Sequence, residues 1–194
     1  MREAKVERKT KETDISVYLN LDGEGKYNIN TGIGFFDHML EALSKHSSFD
    51  LNVKCNGDLN VDCHHSVEDT GIVLGDVFNK ALTSKDGINR YYSFTIPMDD
   101  ALVMCAVDLC GRSYYESNFH TDTLKCGDFE TEVTDEFFRS FSDNAKINLH
   151  FVILRGYNAH HIIEAMFKSL AKCLKEAVKI DPSIKGSLST KGVI

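Results

Sequence analysis

No run of about 18 apolar residues, the length that would cross a membrane, occurs in this chain of 194 residues. It also lacks the basic start and apolar stretch of a signal peptide. Its six cysteines, Cys55, Cys63, Cys105, Cys110, Cys126 and Cys173, form no CxxC pair and no regular framework. They read as reduced thiols, and a cytoplasmic location without a membrane partner is expected. A basic field is missing too. A net charge of −7 leaves nothing to attract a nucleic-acid backbone, although a local basic pocket for one small phosphate remains open. No linker or low-complexity segment interrupts the chain, so residues 1–194 are expected to form a single domain. The hydrophobic fraction of 42% and charged fraction of 26% are ordinary for a globular protein. A chain of this length buries a substantial core without staples.

What is present is a pair of matching clusters, His64-His65-Ser66-Val67-Glu68 and His160-His161-Ile162-Ile163-Glu164, about half a chain apart. Residues three and four apart share one face of a helix. Each cluster therefore aims an imidazole and a carboxylate at one point, with a second imidazole beside them. Neutral imidazole with carboxylate suits borderline divalent metals such as manganese, iron or zinc. Two such clusters point to metal binding, with two metals per site. Cys63 precedes the first cluster, but Ala159 stands at the matching place in the second, so Cys63 reads as a space-filler.

The rest of the chain alternates strands and helices. Thr13 to Leu21 alternates apolar and polar residues as a half-buried strand. Asp22-Gly23-Glu24-Gly25 reads as a hairpin turn returning through Lys26 to Asn30. Phe35 to Lys45 carries apolar residues at helical spacing. Phe49 to Cys55 alternates again, Leu59 with Val61 makes a short neighbour, and the first cluster opens a helix to about Thr83. This half reads as two strands, helix, two strands, helix. In the second half, Tyr91–Ile96, Ala101–Leu109 and Arg112–Glu116 read as strands. Thr134–Ala145 reads as a helix, Ile147–Leu154 as a strand, and the second cluster opens a helix through Lys179 that Asp181-Pro182 ends. An internal duplication accounts for this plan. The expected fold is α+β: two similar halves, about 1–86 and 87–194, each a mixed, mostly antiparallel sheet with helices packed on one face.

The duplication also speaks to function. His38 lies on the first helix of its half, ahead of the first cluster. Counting back similarly from His160 reaches the Asp135-Glu136-Phe137-Phe138 helix, where Glu136 is the positional counterpart of His38. Both become candidate ligands.

Gly32-Ile33-Gly34-Phe35-Phe36-Asp37-His38-Met39-Leu40 and the His64–Asp69 block resemble imidazoleglycerol-phosphate dehydratase. So do Asp108-Leu109-Cys110-Gly111-Arg112, the Gly156–Lys168 block and Ser189-Thr190-Lys191-Gly192, in order over nearly the whole chain. The resemblance implies a duplicated unit similar to the second domain of ribosomal protein S5, and a monofunctional lyase of histidine biosynthesis. The implied reaction is dehydration of D-erythro-imidazoleglycerol phosphate to imidazole-acetol phosphate. Also implied are two manganese ions per active site, held by ligands from adjoining subunits of a homo-24-mer. Carried over by position, the ligands are His38, His64, His65, Glu68, His160, His161 and Glu164. The family often has a histidine where this chain has Glu136, which leaves the eighth ligand open.

The reaction asks for such a site. The hydroxyl leaves from the carbon attached to the imidazole, and the hydrogen comes from the next carbon, which no carbonyl acidifies. Two Lewis acids, one at each ring nitrogen, favour an imidazolate that expels the hydroxyl. The diazafulvene-like intermediate then acidifies the neighbouring C–H, and the resulting enol tautomerises to the ketone. Carboxylates must move the protons. Glu12 matches the family's acid–base glutamate, with Glu68 and Glu164 as further catalytic candidates. Arg90 and Arg112 match its phosphate-binding arginines, since guanidinium suits bidentate phosphate recognition. Lys168, Ser189, Thr190 and Lys191 complete the expected pocket, and His46 matches a substrate-contact position. Glu12, His38, His64, Glu68 and His160 are expected to touch the substrate as well.

Two other classes use the same clusters. A metal-storage protein would need histidine–glutamate clusters but not the cations around them. A dinuclear metallohydrolase would activate water on the phosphate ester and release phosphate instead of forming a ketone.

Overall fold

A computed structural model describes residues 1–191. Its first half contains β1 (Glu3–Lys9), β2 (Thr13–Asn20), β3 (Tyr27–Asn30), α1 (Gly34–Ser47), β4 (Asp50–Gly57) and α2 (His64–Leu82). The second contains β5 (Tyr91–Met98), β6 (Ala101–Asp108), β7 (Tyr114–Ser117), the short ribbon β8 (Lys125–Cys126) and β9 (Phe129–Glu130), then α3 (Val133–Ala145), β10 (Asn148–Arg155) and α4 (Ala159–Ala177). The sheets run β1-β2-β4-β3 and β5-β6-β10-β7, so one topology occurs twice. In each, the edge strand β3 or β7 is parallel to its neighbour and the other pairs are antiparallel.

Alternation decides which face of each sheet is inside. Along β2 every second residue from Thr13 to Leu19 is buried, and β6 repeats this from Ala101 to Val107. Helix α2 covers β1 and β2, while α4 covers β5 and β6. Helices of one half then pack on those of the other, α2 on α3 and α1 on α4. The helices thus form the layer shared by both sheets, and the buried apolar side chains of both halves make one continuous core. Its centre is aromatic: Phe137 stacks on Phe167 at 5.1 Å, and Phe138 lies 4.7 Å from the Phe167 ring. The α2–α3 crossing is close because α2 carries Gly71 and Gly75. A Cβ at Gly75 would lie 2.5 Å from the Phe141 carbonyl oxygen.

Three expectations are corrected. The chain begins with a strand, β1, which the alternation of charges in Glu3–Lys9 concealed. Ala4 and Val6 face the core, but the third inward position is Arg8, which reaches buried Asp69 at 2.5 Å. The turn at Asp22–Gly25 does not close a hairpin: β2 pairs with β1 and β4, and β3 lies parallel to β4. Asp50 draws the turn across, its Oδ1 accepting the N–H groups of Glu24 and Lys26, each at 2.9 Å. Leu59 and Val61 form no strand; they are exposed on a turn closed by the Val61 N–H to the Asp58 carbonyl at 2.8 Å.

Candidate active site

Where α1 meets α4, three donors converge, one from α1 and two from successive turns of α4. His38 Nε2 lies 3.8 Å from Glu164 Oε2, and His160 Nε2 lies 3.2 Å from the same oxygen. One ligand atom from each of the three falls within 4.8 Å of the others. Local structure aims each side chain. Asp37 accepts the Thr31 N–H at 2.8 Å and its hydroxyl at 2.6 Å, tying the loop to the first turn of α1 and so placing His38. The Asn158 side chain caps α4 through the His161 N–H. Phe35 meets the His160 ring edge-on at 5.0 Å. Glu164 is buried, whereas both imidazoles are half-exposed. Burial pushes its carboxyl up, but Lys168 Nζ at 2.6 Å and the two rings outweigh that and hold it below its ordinary value. His46, near the other end of α1, is pushed down by burial and then by the Lys168 and Lys172 ammoniums.

The first cluster opens α2. His64 Nε2 lies 3.8 Å from Glu68 Oε2, one turn along. His65 turns Nδ1 toward Asp58, 3.1 and 3.2 Å from its two oxygens. His161 does the same with Asp100 at 2.6 Å. A carboxylate only accepts, so in each neutral ring the hydrogen belongs on Nδ1 and Nε2 keeps its lone pair. This is the arrangement that orients a metal-binding imidazole. The Asp58 carboxylate also raises the pKa of His65. Asp100 is held far below the usual carboxylate range by the Tyr157 N–H, the His161 ring and the Asn158 N–H. Glu12 stands at the tip between β1 and β2, its Oε1 4.0 Å from His65 Nε2. The tip is fixed by the Thr10 hydroxyl, which accepts the N–H groups of Glu12 and Thr13 at 3.1 and 3.0 Å. It is tied to α2 by the Thr13 hydroxyl, which donates to Asp69 at 2.5 Å.

A separate cavity of about 520 Å³ is lined by Arg90, Tyr91, Cys110, Arg112 and residues 187–191. It brings together the expected phosphate cations Arg90, Arg112 and Lys191 with Ser189 and Thr190. Lys168 is not among its lining residues, being bound to Glu164 on α4.

The family model for imidazoleglycerol-phosphate dehydratase matches residues 31–174. The chain belongs to the imidazoleglycerol-phosphate dehydratase family. Membership makes it a hydro-lyase, an enzyme that eliminates water. It is 55% identical to the imidazoleglycerol-phosphate dehydratase of Lachnoclostridium phytofermentans, over 100% of this chain and 98% of that protein. The protein of the same name from Caldanaerobacter subterraneus subsp. tengcongensis is 54% identical over 100% of both. The crystal structure of the Staphylococcus aureus imidazoleglycerol-phosphate dehydratase superposes with a TM-score of 0.84 at 35% identity, covering 92% of this chain and 99% of that one. The Pyrococcus furiosus structure, in complex with (S)-C348, gives 0.83 at 34%, covering 97% and 100%.

Within this family fold, the internal duplication puts Glu136 in register with His38. The Ser44 hydroxyl of α1 donates to the Phe49 carbonyl at 2.7 Å, and the Ser142 hydroxyl of α3 donates to the Ile147 carbonyl at 2.8 Å. Aligning those serines aligns His38 with Glu136. The same symmetry opposes Glu136 on α3 to His64 and Glu68 on α2, but here Glu136 pairs with Arg139 at 3.9 Å. Among the described residues only His38, His160 and Glu164 close into a group of metal-ligand geometry. Cys63 is buried and its sulfur accepts the Glu130 N–H at 3.4 Å, as a space-filler would. Sequence reasoning gave no role to Asp58, Asp69, Asp100 and Asp108, which hold functional candidates in place, although Asp69 and Asp108 stand inside the family-like blocks. Asp58 lies seven residues before His65, whereas the other three act on partners 18 to 61 residues away. Gly192 lies outside the described residues.

Proposed function

We propose that this chain dehydrates D-erythro-imidazoleglycerol phosphate to imidazole-acetol phosphate in histidine biosynthesis, using two manganese ions per active site. Convergence of His38, His160 and Glu164 from two halves of the sequence carries the proposal. Its donor set, imidazole nitrogens with a buried carboxylate oxygen, fits a divalent cation of the manganese type. The proposed ligands are His38, His64, His65, Glu68, His160, His161 and Glu164, with Glu136 in register for an eighth place.

In the proposed site the bound metals supply Lewis acidity that favours the imidazolate form of the substrate ring. The chain's own residues do the rest. Glu12, on its tethered tip, takes the proton from the carbon next to the ring-bearing carbon and returns one at the tautomerisation step. The hydroxide leaves beside the Glu68 and Glu164 carboxylates and takes up, as water, the proton that the ring gives up in becoming imidazolate. Lys168 holds Glu164 ionised and oriented. His46, its protonated form disfavoured by burial and two lysines, offers the substrate a neutral hydrogen-bonding ring. Arg90, Arg112, Ser189, Thr190 and Lys191 hold the phosphate, which fixes the reacting carbons.

The same proposal includes shared sites in a homo-24-mer, working in the cytoplasm. Two facts support sharing. The donors of α1 and α4, those at the start of α2, and the phosphate cavity are separate places within one chain. Tyr157 and Val61, beside the two clusters, are large and exposed at 84% and 60%. Among the described residues no helix is long and apolar enough to cross a membrane. The deciding experiment gives manganese-loaded protein imidazoleglycerol phosphate and assays the ketone and free phosphate. Ketone without phosphate release is expected; phosphate release alone would make the site hydrolytic and overturn the reading.

A further inference from the structure

Arg90 is held in a way that simple charge complementarity to a phosphate does not require. Its backbone sits in the left-handed region, at φ 69°, where a residue with a side chain is strained. Both its backbone groups are engaged: its N–H donates to the Ala177 carbonyl at the end of α4 at 2.9 Å, and its carbonyl accepts the Leu109 N–H at 3.1 Å. The residue is therefore anchored to the sheet and to a helix end before its side chain does anything.

The guanidinium is then gripped by Asp108. Nε donates to Oδ1 at 2.8 Å and Nη2 to Oδ2 at 3.2 Å, a bidentate pair. Asp108 is itself a fixed platform, the last residue of β6, with Tyr91 opposite on β5 and Asn148 opposite on β10. The guanidinium also lies over the Tyr91 ring, 4.5 Å from its centre. Its Nη1 donates to the Leu188 carbonyl of the C-terminal segment. That segment carries Ser189, Thr190 and Lys191 along one wall of the 520 Å³ cavity. Of the five guanidinium N–H groups, Asp108 takes two and Leu188 takes one, leaving one on each terminal nitrogen for an anion.

We propose that Asp108 is a positioning residue for phosphate binding: it aims the Arg90 guanidinium so that one edge grips the C-terminal segment and the remaining N–H groups face the cavity. This rests on the phosphate-ester reading of the substrate. An acidic residue beside an anion pocket lowers the local positive charge, so on charge alone it would weaken binding. Here its effect is geometric. Without the carboxylate, Arg90 must give up rotamer freedom each time an anion or the segment engages it. Losing Asp108 therefore loosens both partners of Arg90 together, whereas losing the Lys191 side chain removes only a ligand.

The test uses the full-length, metal-loaded protein with Asp108→Asn, and Asp108→Glu as a second variant that keeps the charge. Amide exchange over residues 186–191 is followed with and without inorganic phosphate, alongside KM, kcat and metal content. The expected result for Asp108→Asn is faster exchange of that segment, loss of its protection by phosphate, and a KM raised roughly ten-fold or more. Metal content should stay near that of the parent, kcat should fall much less than KM rises, and Asp108→Glu should recover part of the loss. Unchanged phosphate protection in Asp108→Asn would overturn the inference. So would a fall in kcat and thermal stability with KM unmoved, because that is the signature of a merely structural carboxylate. If the parent protein makes no ketone yet phosphate protection is still lost in Asp108→Asn, the positioning role stands and the substrate reading falls.

Discussion

A carboxylate only 6% exposed must be paired or lose its charge, and Glu164 has His38, His160 and Lys168 within reach. Pairing of this kind fixes where the oxygen points as well as its charge. The same logic separates Glu12, which is more than half exposed and is held by its turn alone. Glu12→Gln keeps the size and hydrogen bonding of the side chain but not its ability to take a proton. Turnover should fall by roughly 10²–10⁴ while metal content and assembly persist; near-normal turnover would move the proton carrier to Glu68 or Glu164. Asp58 and Asp100 give a second residue-scale prediction, because each fixes the tautomer of a proposed ligand. Asp58→Asn or Asp100→Asn should weaken manganese binding by roughly 10–100-fold, measured by titration of metal into the stripped protein, and unchanged affinity would make them turn residues only. The histidine clusters were legible in the sequence because that residue combination is rare and its spacing is helical. Their aspartate partners were not: an aspartate in a turn already has a local reason to be there, Asp58 is brought round to His65 by the turn between them, and only the fold brings Asp100 to His161.

At the scale of elements, the clearest physical contest is at the α2–α3 crossing. Helix propensity favours alanine over glycine inside a helix by about 1 kcal/mol. A Cβ at Gly75 would lie 2.5 Å from the Phe141 carbonyl oxygen and 2.8 Å from the Ala145 nitrogen, both backbone atoms of the facing helix. Backbone cannot swing aside as a flexible side chain does, so overpacking, typically about 1–3 kcal/mol, should win. Gly75→Ala is therefore expected to lower stability in denaturant titration; a stabilised variant would show that the helices separate easily. Helices were the most legible elements, since their apolar faces repeat over many residues: α2 and α4 begin at or one residue before the histidine clusters, as the pattern implied. The pairing of β3 was illegible for the opposite reason. The turn residues at Asp22–Gly25 are what a hairpin would use, and the choice of partner is made by Asp50, far along the chain. β1 was hidden by its charges, because Arg8 occupies an inward place that an apolar residue would have advertised.

For the whole molecule, duplication supplies two copies of one topology, but the copies are not independent. Their helices pack across the middle and their buried residues form one core. Symmetry then explains the ligand geometry. A donor on the first helix of one half faces the cluster of the other, as His38 faces His160 and Glu164. The equivalent triple, His64, Glu68 and Glu136, stays open within one chain, with Glu136 turned to Arg139. A metal at that place would gain from donors supplied by a second subunit. In the proposed shared-site assembly, metal binding energy is also assembly energy. Chelation should therefore abolish turnover and shrink the particle in one transition, followed by light scattering and metal content on the same samples. The family resemblance implies a trimer as the product of chelation, and re-adding manganese should restore size and activity together. A large particle that survives with its metal stripped would mean that protein–protein contacts alone hold the shell. The open cluster would then have to be closed within its own chain, by Glu136 leaving Arg139.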